Sequence, residues 1–219
     1  MCGRYTLIAS ESEVINAFGA TVFEEPLVPV YNACPTARMP VIANFQPDVV
    51  HFFRWGLIPH WAKDRAIGAK MINARAETLF AKPAFKFPIQ HQRCIVPATG
   101  YFEWYDFNGV KTPYYITAKK NKLFAFAGLW AKWTSATPPQ TFYSFTIITV
   151  PPVKSIAHLH NRMPLILTPA QYEPWLSAVF KPDSLQTFLT TPDIEMEFYP
   201  VSNLVNHAAN NSPDVIVPI

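Results

Sequence analysis

The chain opens Met1-Cys2-Gly3-Arg4. Initiator methionine is generally removed ahead of a small residue, and Cys qualifies, so the mature chain is expected to start at Cys2. Its α-amine and thiol would then sit on adjacent carbons, a 1,2-aminothiol that no internal residue offers. An α-amine titrates near ~8, so part of it is neutral at pH 7, whereas a Lys amine near ~10.4 is not. The thiol becomes nucleophilic when a neighbouring base or amine takes its proton. Gly3 admits close approach to Cys2, and Arg4 fixes a positive charge beside it. The plainer alternative is a small apolar residue at the start of a strand.

Three later clusters carry polar groups that such a nucleophile can use. Asn73 and Arg75 alternate within Ile72-Asn73-Ala74-Arg75. In an extended segment they share a face and can hold a nucleophile and an anion side by side. Glu103 lies within Gly100-Tyr101-Phe102-Glu103-Trp104. On a strand it shares a face with Tyr101 and Tyr105, and burial among rings raises a carboxyl pKa to suit a general acid. His158-Leu159-His160-Asn161-Arg162 offers His160 for proton transfer with Arg162 beside it. Without Cys or carboxylate at ligand spacing, no zinc site is expected there. Taken singly, each cluster has a plainer reading: a solvated turn arginine, an edge-strand glutamate facing water, a helix-terminal histidine favoured by the dipole.

The elements that must position these groups are mostly strands. They are expected at Gly3 to Ala9, Met39 to Phe45, Val49 to Trp55, Arg93 to Pro97, Tyr101 to Tyr105, Pro113 to Ala118, Leu123 to Trp130, Phe142 to Val150 and Glu197 to Val201. Asn108-Gly109 reads as a hairpin turn. Ser10-Glu11-Ser12-Glu13 is a capping box opening a helix that ends at Gly19. Further helices are expected at Val153 to Leu159, at Pro169 to Phe180 with Thr168 as N-cap, and at Asp183 to Leu189, with one helical turn at 76–81. Residues 20–30 read as a loop and Tyr31 to Thr36 as a turn-rich connector. Strands outnumber helices and connections are short, so the sheet should be largely antiparallel.

Half of the 219 residues are apolar and 15% aromatic, enough for a large core. The 22 Pro and 7 Gly predict many short elements joined by stiff turns. No stretch reads as a linker, so residues 1–219 are taken as one domain. The net charge of +3 is uneven: residues 54–93 hold eight Lys/Arg and two carboxylates. A basic third with Trp55, Trp61 and Trp104 in or beside it suits a single-stranded nucleic acid, the alternative being a solvated face. Three cysteines, Cys2, Cys34 and Cys94, without a C-x-x-C pair, predict a reduced, cytoplasmic chain. No signal peptide is read after Met1. The longest apolar run, Leu123 to Ala131, is too short for a bilayer, so no membrane association is expected.

Several segments recur together. They are Met1 to Arg4, Tyr31-Asn32 with Pro35, Trp55-Gly56-Leu57-Ile58-Pro59 with Trp61, Asn73 to Thr78, and Cys94 to Trp104. They continue with Ala125 and Gly128-Leu129-Trp130, Thr146 to Thr149, His160 to Pro164, and Pro200-Val201-Ser202 with Val205-Asn206. In this order, end to end, they resemble the SOS response-associated peptidase, or abasic-site processing, family. The resemblance implies a single α+β domain around a curved, barrel-like, mostly antiparallel β-sheet with short flanking helices. It implies capture of abasic sites in single-stranded DNA as a covalent crosslink through the N-terminal Cys, matched by Cys2. Asn73, Glu103 and His160 match the family's other catalytic residues. Its DNA contacts map onto Arg4, Pro35, Arg75, Trp104, Thr149 and Arg162. The expected protein is a cytoplasmic monomer, nucleoid-associated when on DNA, without metal or cofactor. Peptidase and AP-lyase activities are further expectations. Three positions depart from the family pattern: Cys34 adds a thiol, Thr99 replaces a commoner acid, and Leu204 to Asn211 lacks basic residues often seen there.

The chemistry of the residues agrees with that expectation. An abasic deoxyribose opens to an aldehyde, the Cys2 amine condenses with it, and the thiol closes a thiazolidine ring intramolecularly. Glu103 would act as the acid for sugar opening and reversal, His160 would move protons, and Asn73 would hold Cys2 in register. Arg4, Arg75 and Arg162 would bind phosphates, while Trp104 and Pro35 would block a continuing duplex. Two other classes remain open at this point. One is an N-terminal-nucleophile amidotransferase or hydrolase, which also begins Met-Cys-Gly but needs an Asn-Gly oxyanion element that here reads as a hairpin. The other is a non-enzymatic binder of modified DNA, indifferent to Cys2→Ala.

Overall fold

The computed structural model describes residues 2–177 and 182–219. Met1, and the end of the helix expected to reach Phe180, lie outside them. The strands are β1 (Tyr5–Leu7), β2 (Val22–Phe23), β3 (Val30–Ala33), β4 (Arg38–Ala43), β5 (Val49–Trp55), β6 (Asn73–Arg75) and β7 (Arg93–Ala98). They continue with β8 (Gly100–Phe107), β9 (Val110–Ala118), β10 (Phe124–Thr134), β11 (Thr141–Val150), β12 (Met163–Pro164), β13 (Ile166–Leu167) and β14 (Met196–Pro200). The helices are α1 (Glu11–Phe18), α2 (Pro83–His91), α3 (Pro169–Leu176) and α4 (Pro182–Phe188). Among the described residues no helix is long and apolar enough to cross a membrane.

Strands β5, β4, β7, β10 and β11 pair in that order, and β11 returns to β5 in parallel at Ser144–Arg54 and Phe145–Trp55. The result is a closed five-stranded barrel within a larger sheet. A second sheet runs β14-β9-β8-β1-β3. The fold is therefore α+β around a barrel-like, mostly antiparallel sheet. Closure leaves fewer open edges and buries large rings. Trp55 stacks near Phe145 at 6.5 Å, and Tyr5 meets Trp55 edge-on at 5.1 Å.

Local chemistry accounts for the ends of these elements. Ser10 Oγ accepts from the Glu13 N–H while Glu13 Oε2 accepts from the Ser10 N–H, and α1 stops at Gly19 with φ 78°. Asn108 and Gly109, at φ 53° and 83°, make the left-handed turn between β8 and β9. Gly56 ends β5 at φ 122°, and a Cβ there would stand 2.4 Å from the Gly68 carbonyl oxygen. That close approach lets the loop fold back and deliver β6 alongside β11, in parallel, Asn73 opposite Ile147. The Trp55 indole donates to the Ile72 carbonyl at 3.0 Å, fixing the entry to β6.

Four expectations need correction. Val30–Ala33 is a strand paired antiparallel with β1, because the neighbouring β1 offers it a partner that local turn signals cannot reveal. Val153 to Leu159 forms only a 3-10 turn at Lys154–Ile156, since the two prolines before it donate no N–H. Helix α2 was not expected; Pro83 starts it and Pro88 interrupts its donor pattern. Arg93, counted in the basic third, is fully buried. Its guanidinium donates to Trp175 and Ser177 at the end of α3, at 2.8 and 2.5 Å. It also reaches Ile89 and Gln90 in α2, at 3.1 and 2.6 Å. It satisfies helix-terminal carbonyls.

Candidate active site

The four residues singled out around the nucleophile converge. Cys2 precedes β1, Asn73 starts β6, Glu103 lies on β8 and His160 follows the 3-10 turn. Asn73 Nδ2 donates to the Cys2 carbonyl at 2.7 Å, so the amide holds the backbone of Cys2 and leaves its thiol to other groups. Asn73 Oδ1 is buried without a partner. Glu103 is 3% exposed, and His160 Nε2 stands 4.0 Å from its Oε2. The Arg162 N–H donates to His160 Nδ1 at 3.0 Å. A backbone N–H is an obligatory donor, which assigns the imidazole proton to Nε2, toward Glu103.

Burial sets the charge states. It pushes the Glu103 carboxyl up to about 7, so an acid form is populated near neutral pH. It pushes the Cys2 thiol well above its ordinary value, and Glu103 pushes it further. Burial lowers the His160 pKa, favouring the neutral ring. The arrangement is a protonated thiol, a half-ionised carboxyl and a neutral imidazole held on three different elements. Such a set can pass a proton in either direction close to neutrality. Among the described residues no cluster of His, Cys, Asp and Glu fits a metal ion.

The six residues expected against DNA divide into free and engaged groups. Arg75 is exposed, one residue from Asn73 on the same face of β6, with no hydrogen-bond partner among the described residues. Pro35 is half-buried in the turn after β3. The Trp104 indole donates to Asn206 Oδ1 at 2.8 Å. Arg4 is turned inward: it donates to Asn32 Oδ1 at 2.8 Å and to the carbonyls of Val205 and Asn206 at 2.9 and 3.3 Å. Arg162 forks onto Glu77 at 2.5 and 3.0 Å and donates to the Thr149 carbonyl. Thr149 is fully buried and faces DNA only through Arg162.

Sequence reasoning passed over the supports. Asn32 Nδ2 donates to the carbonyls of Val205, His207 and Asn210 at 3.3, 3.0 and 2.9 Å. It ties the segment after β14 beneath Arg4 and Trp104. The tail that lacks basic residues thus serves as a brace. Asn32 and Asn206 stood inside the matching segments, which was the available signal. Thr99, the departure from the pattern, lies 2.8 Å from Thr6 Oγ1, which lies 2.9 Å from the Tyr115 hydroxyl. That ring leaves no room for a Cβ on Gly100 (2.3 Å). Cys34 is half-buried, its thiol donating to the Asn32 carbonyl at 3.1 Å.

A buried cysteine next to a titrating carboxyl and an imidazole, on the rim of a closed barrel, defines a cysteine-nucleophile site. The sequence profile of the family described as SOS response associated peptidase (SRAP) matches residues 1–208, and the chain belongs to that family. It is 44% identical over 223 residues to abasic site processing protein YoqW of Bacillus subtilis (strain 168), covering 99% of each chain. It is 31% identical to abasic site processing protein HMCES of Gallus gallus, covering 87% of this chain and 66% of that one. A crystal structure of a protein from Bacteroides thetaiotaomicron matches over the whole of both chains with a TM-score of 0.90 and 29% identity.

Proposed function

We propose that the protein processes abasic sites in single-stranded DNA, capturing them as a thiazolidine crosslink at Cys2 once Met1 has been removed. The observation that carries the reading is the junction of Asn73 with the Cys2 carbonyl at 2.7 Å, beside a buried carboxyl titrating at about 7. The names of the relatives support the substrate class.

In this reading the freed Cys2 amine attacks the sugar aldehyde and, with loss of one water, forms an iminium. Glu103 protonates the leaving oxygen, and His160 relays protons as the amine adds. The thiol stays protonated until then, so nitrogen reacts first and sulfur second. Ring closure uses up the iminium that would drive β-elimination, and the strand stays intact. Arg75 and Arg162 hold flanking phosphates, Thr149 acts through Arg162, and Arg4 acts from its anchored position. Trp104 and Pro35 stand where a second strand would continue. Residues 1–219 act as one domain and as a monomer on DNA in the cytoplasm. Peptidase action on the Met1–Cys2 bond would use the same groups, and AP-lyase action would diverge from the iminium.

Denaturing electrophoresis after mixing with abasic single-stranded DNA tests the reading, with intact-mass spectrometry of the protein to score Met1. A stable adduct carried only by chains lacking Met1 is expected. An adduct formed stoichiometrically by chains retaining Met1 would exclude the aminothiol route, because an amide nitrogen is delocalised and does not condense. Glutaminase activity without an adduct would favour the amidotransferase class. Full DNA binding by Cys2→Ala, with no wild-type adduct, would favour a simple binder.

A further inference from the structure

Tyr5 on β1 and Tyr101 on β8 are direct cross-strand partners, so their side chains leave one face of the sheet as neighbours. Both are fully buried, and both pack edge-on against Phe126 with centroids at 5.8 and 6.1 Å. Neither hydroxyl has a hydrogen-bond partner. Buried phenols ordinarily find one, and leaving the group unpaired costs about 1–3 kcal/mol. Tyr115 shows the ordinary outcome, with its hydroxyl 2.9 Å from Thr6 Oγ1. Phe at either position would keep the ring packing without that cost, so packing does not account for the two hydroxyls.

Their surroundings do. Cys2 belongs to the same buried cluster as both rings. Burial raises both phenols first, and an ionised Cys2 opposes their ionisation next, which places both within electrostatic reach of that sulfur. Glu103 follows Tyr101 by two residues on β8 and so lies on the same face. The Cys2 thiol itself donates to the Arg4 carbonyl at 3.8 Å, an acceptor that does nothing for a thiolate.

We infer that Tyr5 and Tyr101 are paired hydrogen-bond donors to the Cys2 sulfur at the step where it gives up its proton. The inference rests on the crosslinking reading for the identity of that step. In ring closure a sulfur lone pair forms the S–C bond and the C=N π pair moves onto nitrogen. The thiol proton passes to the Glu103 carboxylate. Negative charge on sulfur peaks as that proton leaves, inside a site where burial and Glu103 both oppose it. Two preorganised O–H donors stabilise it there as an oxyanion hole stabilises oxygen.

The test is Tyr5→Phe and Tyr101→Phe in the full chain. Single-turnover crosslinking to an abasic oligonucleotide is followed against pH, with Tm measured alongside. Each variant is expected to crosslink about 10-fold more slowly, with its rate–pH profile displaced to higher pH. That is below the ~10²–10³ of an oxyanion donor because sulfur is the weaker acceptor. Tm should hold or rise. Wild-type rates and an unmoved profile in both variants would overturn the inference while leaving the crosslinking reading intact. If wild type forms no adduct, that reading fails by itself. Alkylation of Cys2 by iodoacetamide against pH, in a Cys34→Ser background, then decides the inference. An apparent thiol pKa higher in the Phe variants supports it, and equal values overturn it.

Discussion

Replacing Glu103 by Gln keeps the side-chain shape and removes one titration. Burial pushes this carboxyl from an ordinary 4.5 up to about 7. A group whose pKa is raised on folding contributes stability that is fully present below its unfolded value and is lost as pH rises through its folded value. The window is therefore about 4.5 to 7. At ~1.36 kcal/mol per pH unit the loss across it is on the order of 3 kcal/mol. The Gln variant has no such loss, so wild type should give up about that much relative to it between pH 4 and pH 8. Denaturant melts of both proteins at several pH values read this directly. A stability difference that stays flat across the window would refute the buried-acid argument. The same titration governs chemistry. In wild type, crosslink reversal should slow above about pH 7 as the acid form disappears. Glu103→Gln should slow formation, and reversal more, with the pH dependence in that range abolished.

Asn73→Ala frees the Cys2 carbonyl; crosslinking should fall by at least ~10-fold from lost positioning, while melts show a loss of only about 1 kcal/mol. His160→Ala should slow iminium formation by about 10²-fold, whereas Arg162→Ala should chiefly weaken DNA binding in an anisotropy titration; exchanged phenotypes would mean the two roles are reversed. Crosslinking should favour single strands, and equal yields from a site deep in an intact duplex would count against Trp104 and Pro35 as the block. Arg75→Ala should flatten the dependence of log K on log salt by about 0.7, the value for one phosphate contact on a single strand, while Arg4→Ala should lower Tm and leave that slope nearly unchanged.

What could be read from the chain depended on how local the signal was. The α1 cap, the Asn108-Gly109 turn and the start of α3 are written in a few adjacent residues, and the structure places each where those residues put it. The long strands β7 to β11 are likewise apolar enough to declare themselves. Strand β3 and barrel closure are different, because the first exists only beside β1 and the second only where β11 meets β5. Helix α2 was hidden for a converse reason: Pro88 breaks the helical donor pattern, and Arg93, a distant residue in contact terms, completes its C-terminal carbonyls.

The site residues were legible as types and as motifs, but their charges were not. Eight Lys/Arg in residues 54–93 counted as a basic surface. Arg93 spends its charge inside, and Arg54 donates to the Thr36 carbonyl at 3.1 Å. Arg4 and Arg162, outside that stretch, are also committed, to the tail and to Glu77. A guanidinium has five donors and a fixed charge, so it is as suited to organising backbone carbonyls as to gripping phosphate, and sequence does not distinguish the two uses. What distinguishes them is whether a carbonyl cluster or solvent lies at the end of the side chain. Of the arginines expected on DNA, only Arg75 reaches solvent without such a cluster. Attraction to DNA here should accordingly rest on few contacts and be weak for undamaged strands. A protein that seals its target by covalent bonds needs no more, since residence then follows from the ring at Cys2 and its reversal through Glu103, not from the phosphate grip.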